Sequence, residues 1–415
     1  MNNKYVKTEC CEICGNTNLE PVVNLGSHPL CDDLVEAGEQ RMCKEHPIEI
    51  LFCKKCYTAY QKYQVPKRDL FPKTYHYRSR FTADVLSGML ALVEDCERQI
   101  EGGLKGKKVL DIGCNDGSLL NFFKNKGAHT VGIEPTGAYV DALDSGHILY
   151  NSFFDKDMAA KIKLENGSPD IITFTNVFAH IEDLNNLLDS LKLVMHSETV
   201  LVIENHYLGA VIDNYQFDTF YHEHPRTYSL QSFIGIAENL KMTLFKADFP
   251  SRYGGNIRVY IGGNKIMSDS KEQDLKRITS NEKDFYKSLL GMQKNIIVWQ
   301  THMKEKIQKL VNEHGPLPAK AFPGRAAILI KLLDLDENSI SVVYEKTGSM
   351  KIGHYLPGTR IPIKSDDELF SLTSSPAVIL NLAWHISTEI HQFLKKKGFL
   401  GEIVDIYDPK LLKNN

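Results

Sequence analysis

Residues 109 to 134 constrain this chain more than any other stretch. Val109-Leu110 opens a short apolar run that reads as a strand. A turn holding Gly113 and Gly117 follows, and then Leu119, Leu120, Phe122 and Phe123 recur at helical spacing. Thr130 to Ile133 reads as a second strand, and it ends in an acid, Glu134. A strand, a glycine turn, a helix, and a strand with an acid about 20 residues on form the βαβ opening of a doubly wound sheet. Its glycines let the backbone approach a ligand closely, and its acid holds ribose hydroxyls.

Two cofactors use this geometry. A dinucleotide needs Gly-x-Gly-x-x-Gly so that its pyrophosphate can rest on the helix N-terminus. Here Asn115 and Ser118 stand at the third and sixth positions from Gly113, so that pattern fails. What stands instead, Asp-x-Gly-x-x-x-Gly from Asp111 to Gly117, resembles motif I of the S-adenosylmethionine (SAM) methyltransferases. The resemblance implies that Asp111, Gly113, Asn115, Asp116 and Gly117 form the cofactor loop and that Glu134 meets the ribose. A dinucleotide is the lesser alternative, and a glycine turn with no ligand a third.

Seven of the nine cysteines precede residue 57. Cys11-x-x-Cys14 and Cys53-x-x-Cys56 each present two thiolates from one tight knuckle, and four thiolates complete a closed, tetrahedral, structural zinc site. Cys10 in place of Cys11 is the alternative ligand, and the x-x spacing favours Cys11. Four sulfur ligands leave no open position for chemistry at the metal.

The chain then reads as alternating α/β units. An amphipathic helix is expected over about 81–99, with Val85, Met89, Leu92, Val93 and Cys96 on one face. Phe153 follows a short strand, Ile148 to Tyr150, at the place where such folds stack adenine. Pro169 to Asn176 reads as the fourth strand and delivers Asn176 and His180 to the carboxyl edge of the sheet, where ligands bind in open α/β folds. Thr199 to Asn205 is the fifth strand, followed by Tyr221-His222-Glu223-His224. A phenol, two imidazoles and a carboxylate form the densest acid–base set in the chain. An imidazole beside a carboxylate is suited to take a proton near neutral pH. A metal site and a solvated loop are the competing readings of that knot. Ser251-Arg-Tyr-Gly-Gly-Asn-Ile-Arg258 reads equally well as an anion-holding turn with two arginines and as a plain hairpin turn.

Beyond about 270 a helical stretch runs to His314, its apolar stripe including Leu289, Met292, Ile296, Trp299 and Met303. The remainder reads as a second α/β lobe. Its strands are expected at Ala321-Phe (followed by a turn), Ile340 to Tyr344, Ala377 to Ala383 and Glu402 to Ile406, with a helix over about 387–397. The expected fold is therefore α/β: a zinc-binding module over 1–80, a Rossmann-like SAM methyltransferase domain over 81–265, and a linking helix with a C-terminal Rossmann-like lobe over 266–415.

Taken together, Cys11/Cys14/Cys53/Cys56, Tyr75-x-Tyr77-x-Ser79, Gly113-Cys-Asn-Asp-Gly117, Asn176-x-x-x-His180-Ile, Phe217-Asp-x-x-Tyr221-x-Glu223-His224, Gly254-Gly255 and Pro357-Gly-Thr resemble the sugar C-methyltransferases of deoxysugar biosynthesis. The resemblance spans essentially the whole chain. It implies a nucleotide-linked keto-sugar as acceptor, an enolate as the carbon nucleophile, and SAM as methyl donor. It also implies His224 as base with Glu223 beside it, Tyr221 and His180 at the enolate oxygen or the proton, and Tyr75 closing over the sugar. Two segments depart from the family: Ala321-Phe-Pro-Gly-Arg325 replaces a Gly-Tyr-Gly-Ala-x-x-Lys turn, and Ala383-Trp-His385 replaces Ala-Trp-Asn. Methylation of another carbonyl-bearing or hydroxylated small molecule, and a non-catalytic SAM- and zinc-binding protein, are the rival readings.

A net charge of −3 gives no basic footprint for nucleic acid, and no apolar run reaches the roughly 20 residues of a membrane span. The expectation is a cytoplasmic enzyme with no nucleic-acid or membrane partner and with its oligomeric state open, monomer included.

Overall fold

The central strands are nearly continuous apolar runs, and because successive side chains point to opposite faces the sheet is covered on both. The computed structural model describes residues 5–71, 78–81, 83–263 and 269–409. The chain forms two units that alternate along the sequence. The first comprises Met1–Glu20, Leu51–Val211 and Glu223–Tyr286, and the second Pro21–Ile50, Ile212–His222 and Lys287–Asn415.

In the first unit we label strands β1 (Thr58–Gln61), β2 (Lys108–Ile112), β3 (His129–Ile133), β4 (Ile148–Tyr150), β5 (Ile171–Thr175), β6 (Val200–His206), β7 (Arg226–Thr227), β8 (Thr243–Asp248) and β9 (Asn256–Gly262). Its main sheet has the order β8-β9-β6-β5-β2-β3-β4. Strands β2 to β6 are parallel, and β9 runs antiparallel to β6 and β8. Helices α1 (Ala83–Gln99) and α2 (Ser118–Asn125) come early in this unit. Val109, Ile171, Val200 and Val202 share a core with Val85, Met89, Leu92 and Phe123 of those helices. Leu110, Ile112, Ile172, Phe174, Leu201 and Ile203 point the other way, as a strand's period of two requires. They pack with Ala159 and Ile162 of α3 (Lys156–Asn166), Leu187 and Leu191 of α4 (Leu184–Val194), and Phe233 and Ile236 of α5 (Leu230–Asn239).

In the second unit, β10 (Leu317–Lys320), β11 (Ile340–Glu345), β12 (Ile363–Ser365), β13 (Val378–Asn381) and β14 (Glu402–Asp405) form a parallel sheet ordered β12-β11-β10-β13-β14. The order reverses between β10 and β13, which is the switch point of a Rossmann-like sheet. The strand expected at Ala321 ends one residue earlier, at Lys320. Ala321 itself takes φ 63°, a left-handed turn conformation that a strand cannot contain. The long helical stretch is two helices, Asp269–Asn281 and α6 (Phe285–His314), separated by a 3-10 turn. Leu289, Met292, Ile296, Trp299 and Met303 of α6 are all buried, as their spacing predicts. Among the described residues no helix is long and apolar enough to cross a membrane.

Candidate active site and zinc centre

The glycine loop leaves the carboxyl end of β2. Gly113 has φ 76°, and a Cβ there would lie 2.6 Å from a Val177 methyl, so the backbone can run here only without a side chain. Gly117 (φ 75°) starts α2 from a left-handed conformation. Glu134, at the end of β3, accepts the Asn115 N–H on one carboxylate oxygen (3.0 Å) and the Thr136 N–H on the other (2.8 Å). Each oxygen keeps a lone pair that can accept from a ribose hydroxyl. Asn115 and Asp116 accept the backbone N–H groups of Ser79 and Arg80 at 3.0 and 2.9 Å, so the segment ahead of α1 clasps the loop. Asp111 lies beneath it, 3% exposed, and accepts the Thr173 hydroxyl at 2.7 Å. Burial pushes its carboxyl up to about 7; the Thr173 bond works against this and the Glu134 charge adds to it. Phe153, half-buried, follows β4, with the Lys67 ammonium 4.6 Å from its ring centroid. These residues fit SAM: a close-approach backbone, a ribose-seeking acid and an aromatic ring each leave a neighbouring parallel strand at its carboxyl end.

The same edge carries imidazoles. Asn176 sits at the end of β5 with φ 54°. It donates its N–H to the Glu204 carbonyl (2.7 Å) and accepts the Asn256 amide (3.1 Å), and so turns the chain toward His180. The rings of His180 and His224 are stacked at 5.1 Å and 21°. Phe71 stacks on His180 at 5.2 Å. A third imidazole, His206 at the end of β6, lies 5.1 Å from His224. Burial, together with the neighbouring His224, holds His180 well below its ordinary range, so it is neutral at pH 7. Glu223 and His224 are buried in the first unit. The sequence reading missed His206, although its place at the end of a core parallel strand was the available signal. Tyr75 and Tyr77 lie outside the described residues.

Tyr221 and His222 fall in the 212–222 segment of the second unit. There His222 donates to the His46 carbonyl at 3.0 Å, and burial pushes its imidazole down to about 3. Among the described residues, the one group of side chains close enough to hold a metal is the cysteine cluster, so the metal reading of the Tyr-His-Glu-His knot is not supported. The anion-holding reading of 251–258 also gives way to the hairpin. Arg252 and Arg258 both pair with Glu204, which is fully buried at the end of β6, and the turn joins β8 to β9. Arg252 Nε lies 3.1 Å and Arg258 Nε 2.6 Å from its carboxylate oxygens, which leaves neither guanidinium to a ligand.

The four cysteine sulfurs lie within 4.8 Å of one another, with Cys11–Cys56 at 3.3 Å and Cys14–Cys53 at 3.6 Å. A tetrahedral zinc with bonds of about 2.3 Å needs sulfurs about 3.8 Å apart, so the set fits with small adjustment. The surrounding donors suit thiolates. Asn16 donates to Cys53 at 3.5 Å, the Cys14 N–H to Cys11 at 3.5 Å, and the Tyr60 and Thr58 hydroxyls lie 3.0 and 3.2 Å from Cys11 and Cys56. Cys10 is exposed and outside the cluster, which decides between the two ligand choices.

In the second unit the two segments that depart from the family pattern meet at the switch point. Arg325, in the turn after β10, lies 3.4 Å from Asp218, and its guanidinium sits 5.1 Å from the Trp384 ring centroid. Trp384 Nε1 donates to the same carboxylate at 2.8 Å. His385, beside it, is pushed down to about 3 by burial and by the Arg325 charge.

Family models match three consecutive stretches. A zinc binding domain model covers residues 11–71, a methyltransferase domain model 76–243, and a C-methyltransferase C-terminal domain model 251–401. The C-methyltransferase NovU of Streptomyces niveus is 24% identical over 97% of this chain and 96% of its own length. The ubiquinone biosynthesis O-methyltransferase of Aeromonas salmonicida is 32% identical over 23% of this chain and 41% of its own. Among solved structures, the SAM-bound magnesium protoporphyrin IX methyltransferase of Synechocystis overlays with a TM-score of 0.32 at 13% identity, over 43% of this chain and 78% of that one. The glycine loop and the matched domains define a SAM-dependent methyltransferase, an enzyme. The three matched parts make it a SAM-dependent C-methyltransferase with an N-terminal zinc-binding module, and its cofactors are SAM and a structural zinc.

Proposed function

We infer that the chain methylates the carbon beside the ketone of a nucleotide-linked keto-deoxysugar, with His224 as the base. The stacked His180–His224 pair carries this reading, because it lies at the strand edge that also bears the cofactor loop. The loop leaves β2, Glu134 leaves β3, Asn176 and His180 leave β5, and His206 ends β6. A carbon acid activated by a ketone needs a positioned base and hydrogen bonds to the developing oxyanion, and no metal at the reacting carbon.

In this mechanism the α C–H bond breaks, its proton goes to an imidazole nitrogen of His224, and the electron pair moves into the enolate. Buried Glu223 supports the imidazolium that results. His180, held neutral, donates to the enolate oxygen without placing a second positive charge against the base. Bound SAM supplies an electrophilic methyl group. Asp111, Gly113, Asn115, Asp116, Gly117, Glu134, Phe153 and Asn176 would hold it, while Tyr221 and Tyr75 enter through the family resemblance. The sugar acceptor likewise rests on that resemblance.

A turnover screen with SAM and a panel of nucleotide-linked 4-keto sugars tests the reading. A product 14 mass units heavier, with NMR placing the new methyl on carbon next to the ketone, is expected from the CH2 added in methylation. A methyl found on oxygen, or turnover only with acceptors that lack a ketone, would overturn it.

A further inference from the structure

One guanidinium joins the zinc knuckle to the chain neighbours of both stacked imidazoles. Arg226 is fully buried, two residues after His224. Its Nε donates to Glu12 at 2.7 Å, and its Nη2 donates to the same carboxylate oxygen. Its two Nη groups also donate to the carbonyls of Ile181 and Glu182, the latter at 2.9 Å, directly after His180. Glu12 lies between zinc ligands Cys11 and Cys14, and its second oxygen accepts the Leu184 N–H at 3.0 Å, at the start of α4. The next knuckle residue, Ile13, accepts from Asn239 of α5 at 2.8 Å. A second link runs through the backbone: Arg226 pairs with Tyr60 across β7 and β1, and the Tyr60 hydroxyl lies 3.0 Å from the Cys11 sulfur.

A knuckle that served only to hold itself together would not need a buried ion pair reaching toward His180. Burying a guanidinium is costly unless every donor is met, and here the partners are one knuckle carboxylate and two carbonyls of the His180 loop. The shape of the knuckle is in turn set by the metal, because four thiolates this close repel one another without a cation. A base and an oxyanion donor must be held to well under an ångström, and a misplacement of about 1 Å can cost about 100-fold in rate.

We propose that Glu12 and Arg226 are positioning residues through which the zinc knuckle sets the relative placement of His180 and His224. The structural metal thereby acts on the chemical step without touching substrate. This rests on the catalytic reading of the two histidines, and the test separates the two.

The test uses full-length protein labelled with 13C at histidine Cε1, with His180→Gln and His224→Gln assigning the two ring signals. In Glu12→Gln, zinc content and SAM affinity are expected to stay within twofold of the parent. The His180 and His224 signals are expected to shift, kcat to fall about 10- to 100-fold with KM for SAM little changed, and Glu12→Asp to recover part of the loss. A merely structural pair would lower stability and leave the two ring signals and kcat of the folded fraction in place. That outcome overturns the proposal. Should Glu12→Gln not fold, the parent protein is titrated with a chelator. Ring signals that shift as zinc leaves and return when it is restored support the proposal, and unchanged signals in zinc-free protein overturn it. Shifted signals with α-proton exchange at the acceptor unaffected would uphold the positioning role and reject His224 as base.

Discussion

The imidazoles of His180 and His224 lie face to face, 5.1 Å between centroids and 21° from parallel. Two rings so placed cannot both be cationic without strong repulsion, and burial decides which one stays neutral: His180 is held well below its ordinary range. A neutral His180 can donate a hydrogen bond beside His224 without adding a positive charge there.

On the proposed mechanism, replacing His224 removes proton abstraction alone. His224→Gln is expected to lower turnover by about 100- to 10,000-fold and to abolish deuterium exchange at the acceptor's α carbon. SAM affinity, measured by calorimetry, should stay unchanged. Exchange at the parent rate would reject the assignment.

His206 contacts the other side of His224 at 5.1 Å. His206→Phe keeps an aromatic ring there but removes its nitrogens, and a loss of about 10-fold in kcat is expected if the imidazole takes part in proton exchange with solvent. A pH–rate profile superimposable on the parent's would show that only its packing counts.

Gly113→Ala is expected to weaken SAM binding more than it weakens the fold. The new methyl would meet Val177 at 2.6 Å in a backbone held at φ 76°, where a side chain costs about 1–2 kcal/mol by itself. Adding Val177→Ala should recover the steric part. Titration calorimetry on the single and double variants separates the two, and equal affinities in both would contradict the account.

Asp111 gives a pH signature. Its carboxyl titrates at about 7 in the folded protein and near 3.8 when exposed, so between those values the native state binds more protons and stability falls as pH rises. Asp111→Asn should lack this fall while its amide oxygen still accepts from Thr173. The parent-minus-variant difference in melting temperature, followed from pH 4 to 7, should grow more negative toward pH 7; a flat difference would discount the burial argument.

Glu204 tests the electrostatics beneath the site. Glu204→Gln would leave Arg252 and Arg258 buried without a counter-charge, and a loss of about 3–5 kcal/mol is expected in denaturant unfolding. A change below about 1 kcal/mol would mean that the Val85 carbonyl and other neutral acceptors are sufficient partners for the arginines.

The local pattern alone carried much of this protein. Glycine spacing from 113 to 117 marked the cofactor loop, because an unusual backbone conformation demands a particular residue. Paired Cys-x-x-Cys marked the zinc knuckles, because two thiolates three residues apart already share a turn. Short apolar runs marked the buried strands, and their ends located Glu134, Asn176 and His180. Tertiary structure decided what depends on distant partners. Arg252 and Arg258 read equally well as ligand groups and as part of a plain hairpin, and Glu204, some fifty residues earlier, decides by pairing with both. His222, two residues before His224, is bonded to the His46 carbonyl, a partner that no local pattern announces. His206 had no local mark, since an imidazole at a strand end gains meaning only from the ring placed against it. Arg226 and Glu12 are 214 positions apart. Sequence spacing says nothing of such a pair, because only the folded chain can bring a metal knuckle and the loop after His180 onto one guanidinium.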